Sequence, residues 1–210
     1  MEHRILNSSF SKTEHTKALY SEQEEVLLKY IDQLLWWNKR VNLVSRDVSR
    51  ETVRHHVEHS LVISQSNLFQ NSTKIIDAGA GGGLPGIPLG IVYPQKEILL
   101  NDIVTKKMLA CKQMILKLGV SNVSTLSGSV EEADISKEHL IISKHAFKVN
   151  DLVALLDGKN WQHIVLLKGE KKVLRELQGI DVPLNIHVFS LEAFGNSFYD
   201  GKALVEITRI

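Results

Sequence analysis

Asp77-Ala78-Gly79-Ala80-Gly81-Gly82-Gly83 is the segment whose residue types and spacing point most directly to chemistry. It follows the short apolar run Lys74-Ile75-Ile76, so its glycines stand where a strand must turn. Glycines there let the backbone turn tightly and let a ligand approach the main chain. The helix expected next presents unpaired N–H groups at its start. In open α/β sheets, ligands bind in this crevice at the carboxyl ends of the strands. A carboxylate at the end of the following strand can accept both ribose hydroxyls of a nucleoside. Asp102 stands there, nineteen positions beyond Gly83. Asp77, Gly79, Gly81, Gly83 and Asp102 are therefore the first candidates for holding a cofactor.

Two cofactor classes use such a loop. The dinucleotide fingerprint G-x-G-x-x-G needs a third glycine where this chain has Leu84, and so it fails. The tighter D-x-G-x-G-x-G spacing suits a ligand without a pyrophosphate, S-adenosylmethionine. A dinucleotide enzyme and a merely structural glycine turn remain the other two readings.

Other candidates are less specific. His55, His56 and His59 lie within about one helical turn, but no acidic or cysteine ligand completes a metal set nearby in sequence. An RNA-facing role and an ordinary solvated face are the competing readings. From Lys39 to His59, Lys39, Arg40, Arg46, Arg50 and Arg54 outnumber Asp47, Glu51 and Glu58, a pattern that suits phosphate contacts. Lys168, Lys171, Lys172 and Arg175 form a second cluster, read equally well as a charged helix. Trp36 and Trp37 could stack on a base, although at least one is expected in the core. No G-x-S-x-G elbow, H-E-x-x-H or Walker loop is present, so hydrolases and NTPases find no support.

The elements that position these residues follow from periodicity. Residues 1–20 are polar and unpatterned, and a loose start is expected. Ser21 and Glu24 suggest a capping box ahead of Leu27, Ile31, Leu34 and Leu35. A second helix is expected over about Arg50–Ser64, so the first third reads as helical with no β signal. From Lys74 onward, strands at 74–77, 98–100, 123–126, 140–143 and 163–167 alternate with helices at 84–92, 106–118, 150–156 and 170–177. That alternation indicates a mainly parallel sheet covered by helices on both faces. Two late strands, 185–190 and 202–207, look like a hairpin that puts antiparallel strands at one edge. A length of 210 residues with 43% hydrophobic content fits this single α/β unit. The lone Cys111, the missing apolar leader and the short apolar runs make a cytoplasmic protein the expectation. Net charge of +1 gives no global argument for nucleic acid.

The chain resembles the bacterial RsmG (GidB) family from about Tyr20 to Lys172, most densely over Ile76–Lys107. Trp37-Asn38-Lys39 with Asn42-Leu43, His56 with Ser60-Leu61, and Asp77 to Leu89 including Leu84-Pro85-Gly86-Ile87-Pro88 carry the likeness. So do Asp102 with Lys106-Lys107, Val130-Glu131-Glu132 and Leu167-Lys168-Gly169. Three positions depart from it: His59 stands for Asp, Ser129 for Arg, and Lys144 for the Arg of an S-R-A motif.

The resemblance implies a Rossmann-like class I S-adenosylmethionine-dependent methyltransferase domain over residues 72–210, capped by a helical extension, 1–71. It implies that Gly79 and Leu84 line the cofactor pocket, that Asp102 holds the ribose, and that Val130 and Glu131 flank the adenine. Lys144 would orient the cofactor or the RNA. The implied reaction is methylation of guanine N7 in the 530 loop of 16S ribosomal RNA, on the RNA or the small subunit, by a metal-free monomer. RNA contacts are expected from Lys39, Arg40, Arg46, Arg50, Arg54, His56 and Lys168. No catalytic acid or base is expected, because N7 carries a lone pair and no proton. A cofactor-binding protein with a weakened pocket and a methyltransferase of another target are the rival readings.

Overall fold

Along each central strand, successive side chains enter different cores. Ile75 packs with one cluster and Ile76 with another; Leu140 and Ile142 part from Ile141, and Val165 and Leu167 from Ile164 and Leu166. This period of two is that of a sheet buried on both faces, which explains why these strands read as continuous apolar runs. The computed structural model describes residues 3–10 and 14–210.

In chain order the elements begin with β1 (Arg4–Ser9), α1 (Glu14–Glu22), α2 (Glu24–Asn38), α3 (Arg50–Leu61) and α4 (Asn67–Asn71). Then come β2 (Lys74–Ala78), α5 (Gly86–Val92), β3 (Glu97–Asp102), α6 (Thr105–Leu118) and β4 (Val123–Ser127). The rest are β5 (His139–Lys144), α7 (Val149–Leu155), β6 (His163–Gly169), α8 (Glu170–Glu176), β7 (Leu184–Ser190) and β8 (Lys202–Arg209). The eight strands form one sheet in the order β1-β7-β8-β6-β5-β2-β3-β4. Only β8 runs against its neighbours; every other pairing is parallel. One core joins α2, α3, α5 and α6 to the sheet through Leu27, Ile31, Val53, Val57, Ile87 and Met114. The other joins α7 and α8 through Val149, Leu152 and Val173.

The elements expected from residue 74 onward form within a few residues of their expected ends. The start of the chain differs. Arg4–Ser9 is a strand, paired in parallel with β7 from Arg4 opposite Asn185 to Ser9 opposite Ser190. All six of its residues are exposed, so it is held by its backbone ladder and carries no apolar alternation to announce it. Residues 1, 2 and 11–13, which share the expectation of a loose start, lie outside the described residues. Ser21 sits inside α1, and α2 begins after Gln23 without a side-chain cap, so the capping box at Ser21 and Glu24 does not form. The late hairpin does form, but not at the edge. β8 inserts between β6 and β7, and β1 closes the sheet beyond them.

Candidate active site

The glycine loop leaves β2 and is clamped from several sides. Gly79 has φ +71°, and a Cβ there would lie 2.5 Å from the Ala146 Cβ and 2.9 Å from the Phe147 ring. The loop and the β5–α7 connection therefore approach as closely as backbone allows, and glycine is required. Opposite, Tyr30 of α2 donates its hydroxyl hydrogen to the Gly82 carbonyl at 2.9 Å. The Cys111 thiol of α6 lies 3.4 Å from the Gly81 carbonyl as a donor; burial pushes its pKa up, so it stays neutral. Asp77 lies under the loop, fully buried, and its Oδ2 accepts the Gly86 N–H at 2.8 Å. Its other oxygen has no partner among the described residues. Burial pushes its pKa up to about 7, against the pull of the Gly86 N–H and Lys144.

At the end of β3, Asp102 is held by two backbone donors. Gly81 N–H reaches Oδ2 at 3.0 Å and Val104 N–H reaches Oδ1 at 2.9 Å, with Lys107 Nζ 3.9 Å away. Each oxygen keeps a lone pair, so the carboxylate is aimed before any ligand arrives. It opens on a cleft of about 530 Å³, whose wall includes Gly79, Gly81, Val104, Val130 and Phe147. An aimed carboxylate, a glycine floor and an apolar wall fit the ribose, the amino-acid portion and the adenine of S-adenosylmethionine. Asp77, Gly83 and Leu84 do not line this cleft; Leu84 is buried in the core. Glu131 is exposed beside Val130, its carboxylate accepting the Ser129 hydroxyl at 2.7 Å. Val104 and Phe147, which follow β3 and β5, and Leu155, at the end of α7, also line the wall and carry no sequence signal beyond being apolar.

Behind the loop, Lys144 Nζ donates to His56 Nδ1 at 3.0 Å. His56 is therefore a neutral acceptor, its pKa held down to about 3 by burial and then by Lys144. Burial lowers Lys144 itself to about 8, with Asp77 opposing the shift and Lys202 reinforcing it. His59 is fully buried, with neither ring nitrogen bonded among the described residues, against the rings of His145, Phe198 and Tyr199. Neither His56 nor His59 occupies a solvated face, because α3 turns both inward. His55 lies 3.2 Å from Glu51 and stacks on Phe198. Among the described residues no group of three histidine, cysteine or carboxylate side chains could hold a metal.

The profile of the family described as rRNA small subunit methyltransferase G, GidB, matches residues 23–192. The chain belongs to that family. Ribosomal RNA small subunit methyltransferase G of Chlorobium chlorochromatii is 38% identical over 172 residues, covering 79% of this chain and 73% of its own. The protein of that name from Bacteroides thetaiotaomicron is 31% identical over 199 residues, covering 89% and 93%. In fold the chain is similar to magnesium protoporphyrin IX methyltransferase from Synechocystis with bound SAM (TM-score 0.57, 14% identity, 84% and 90% of the two chains). It is also similar to a SAM-dependent methyltransferase from Aquifex aeolicus (TM-score 0.51, 14% identity, 74% and 90%). The architecture is that of class I methyltransferases.

Against this RsmG background, the expected RNA contacts divide. Lys39 and Arg46 are exposed and make no side-chain bond among the described residues. Arg50 pairs with Asp32 at 2.9 Å, and Arg54 with Glu58 at 3.1 Å. Arg40 lies over the Trp36 ring, 3.5 Å from its centroid. Lys168 is not a phosphate contact. It is buried, 2.7 Å from Glu176, and donates to the Phe147 carbonyl, so it braces the cleft wall. Of the two tryptophans, Trp37 packs partly against the core while Trp36 is 47% exposed.

Proposed function

We propose that this protein transfers a methyl group from S-adenosylmethionine to N7 of a guanine in the 530 loop of 16S ribosomal RNA. It would act in the cytoplasm, as a monomer, and without a metal. The observation that carries this reading is the combination of family membership with a cleft that holds an aimed carboxylate, Asp102, and no acid–base pair. Gly79 and Gly81 would carry the amino-acid portion of the cofactor, Asp102 the ribose, and Val130 with Phe147 the adenine. Lys144 does not line the cleft, so it would orient the cofactor or the RNA only indirectly, through Asp77 and the glycine loop. Within residues 1–71, the helical part would serve as the cap over the glycine loop, through Tyr30 and through Leu43, whose Cβ would lie 3.1 Å from a Cβ at Gly82, while β1 belongs to the sheet.

When bound, the cofactor supplies an electrophilic methyl on a sulfonium. Gly79, Gly81 and Asp102 would hold it with that methyl offered to the N7 lone pair and a neutral thioether as leaving group, so the positive charge would end on the purine. No proton is removed, so the chain's residues need only align N7 with the methyl at near-attack distance and exclude water.

The test is labelled methyl transfer onto small subunits and onto RNA from cells lacking this protein, with mapping of the modified base. Reduction and aniline treatment should cleave the product at that base, since N7 alkylation labilises it. Saturable cofactor binding without transfer to either RNA form would favour a binding protein instead. Transfer to a base resistant to that cleavage would mean another acceptor atom.

A further inference from the structure

α6 carries Lys106, Lys107, Lys112 and Lys117 and no carboxylate. In a chain of net charge +1 this is a local concentration of cations. Lys106, Lys112 and Lys117 are exposed, and none forms an ion pair among the described residues. Lys106 and Lys107 also stand in the first turn, where the helix dipole disfavours positive charge. Lys107 has Asp102 3.9 Å away to offset this, but Lys106 has no such partner among the described residues, and a local rule broken without a structural gain points to function.

Apolar side chains are interleaved with these cations. Leu109 and Leu116 are exposed on the same helix, Ile103 and Val104 just before it, and Trp36 beside it on α2. These are five of the nine large hydrophobics exposed among the described residues. Where α2 crosses α6, a groove of about 390 Å³ is lined by Gln33, Trp36, Trp37, Gln113, Leu116 and Lys117. The Arg40 guanidinium lies over the Trp36 ring, 3.5 Å from its centroid, and bonds to the Trp36 carbonyl at 2.7 Å. The groove thus has planar π surfaces, two amides able to read a base edge, and a lysine, with no carboxylate in its lining.

We propose that this face is a track for single-stranded RNA, with an unpaired base stacked at Trp36–Arg40 and phosphates along Lys106, Lys112 and Lys117. Aromatic platforms beside unpaired cations are the chemistry of single-stranded nucleic-acid binding. The track is continuous with the cleft: Lys107 lines it, and Lys117 lies about 15 Å further along the helix axis. A strand feeding a guanine to the cofactor can therefore rest its neighbouring nucleotides on α6. This rests on the RNA-methyltransferase reading above and assigns that enzyme a binding surface.

The probe is a short, fluorescein-labelled single-stranded RNA, titrated into the full chain at several salt concentrations. Trp36→Ala should weaken binding by about fivefold or more, and Trp36→Phe by much less, because a phenyl ring still stacks. Lys112→Ala with Lys117→Ala should make the salt slope shallower by about 1.4, two phosphates of a single strand. S-adenosylmethionine affinity, measured by calorimetry, should stay unchanged in all of these variants. Wild-type binding in both Trp36→Ala and the lysine pair would overturn the track while leaving methyl transfer to small-subunit RNA intact. Unchanged oligonucleotide binding with reduced binding to intact small subunits would assign the face to a ribosomal protein and overturn it too. A wild-type chain that neither binds the probe nor methylates RNA would overturn the track and the proposed function together.

Discussion

Lys144 and His56 form the joint between the N-terminal helices and the sheet: the ammonium of β5 donates to the imidazole of α3 at 3.0 Å. The unpaired oxygen of Asp77 belongs to the same buried neighbourhood, so three titratable groups share one poorly solvated space behind the glycine loop. Their ionisation is where solution conditions reach the site.

Asp102→Ala should weaken S-adenosylmethionine binding at least tenfold, since hydrogen bonds to a charged acceptor contribute ~1.5–3 kcal/mol. Part of that loss comes from freeing the Gly81 and Val104 N–H groups it now holds. Asp102→Asn, which keeps one carbonyl acceptor, should lose less. Calorimetry on both variants checks the order, and unchanged affinity would remove Asp102 from the ribose.

The methyl-transfer step, followed in single turnover with cofactor and RNA saturated, should be nearly flat over about pH 6.5–9. A shallow inflection near pH 8 is assigned to Lys144, whose burial sets its pKa at about 8. Lys144→Arg should abolish that inflection, because a guanidinium does not titrate in this range. A tenfold rise per pH unit would mean an acceptor that must lose a proton.

His59 and Asp77 should bend acid stability in opposite directions. The folded-state pKa of His59 is depressed, so its contribution is present above about 6.5 and is lost as pH falls. That of Asp77 is raised, so its contribution is present below about 3.8 and is lost as pH rises through about 7. Between about pH 4 and 6.5, His59→Leu should therefore make stability rise less steeply with pH. Asp77→Asn should make it rise more steeply, each by at most ~1.4 kcal/mol per pH unit. Urea melts at four pH values would show either slope unchanged if the assignment is wrong.

Lys96→Met should cost about 2–3 kcal/mol of folding stability, because Lys96 Nζ is buried against the carbonyls of Phe69, Gln70 and Ser72 at 2.8, 3.0 and 2.5 Å. It closes the C-terminal end of α4, and the substitution leaves three carbonyls without that donor. Chemical denaturation measures the loss; a change under 0.5 kcal/mol, about the scale of an ordinary surface substitution, would mean water replaces the ammonium.

What could be read before the structure follows burial. The strands from Lys74 onward were legible because their two-sided burial leaves continuous apolar runs, and the glycine loop because φ +71° beside Phe147 tolerates little else. β1 was not, since a fully exposed strand needs only backbone partners. Lys168 looked like surface because nothing local shows that Glu176 turns back to meet it. Arg50 and Asp32 are eighteen residues apart on different helices, so their pairing is likewise tertiary. The lysines of α6 are the reverse case: their acid-free run is plain in the sequence, but only the groove beside Trp36 gives it a meaning.

The edge strand β1 has a consequence for how the chain reaches this state. Arg4 is synthesised long before its partner Asn185, so β1 has no ladder to join until β7 has been made. During synthesis the methyltransferase sheet can build outward from β2 while the first residues wait unpaired. The contact between the two ends of the chain then has the highest sequence separation of any strand pairing, and its loop-closure cost is met last. Completion of the sheet is in effect a check that the chain has been made through β8, the strand that joins β7 and β1 to the rest.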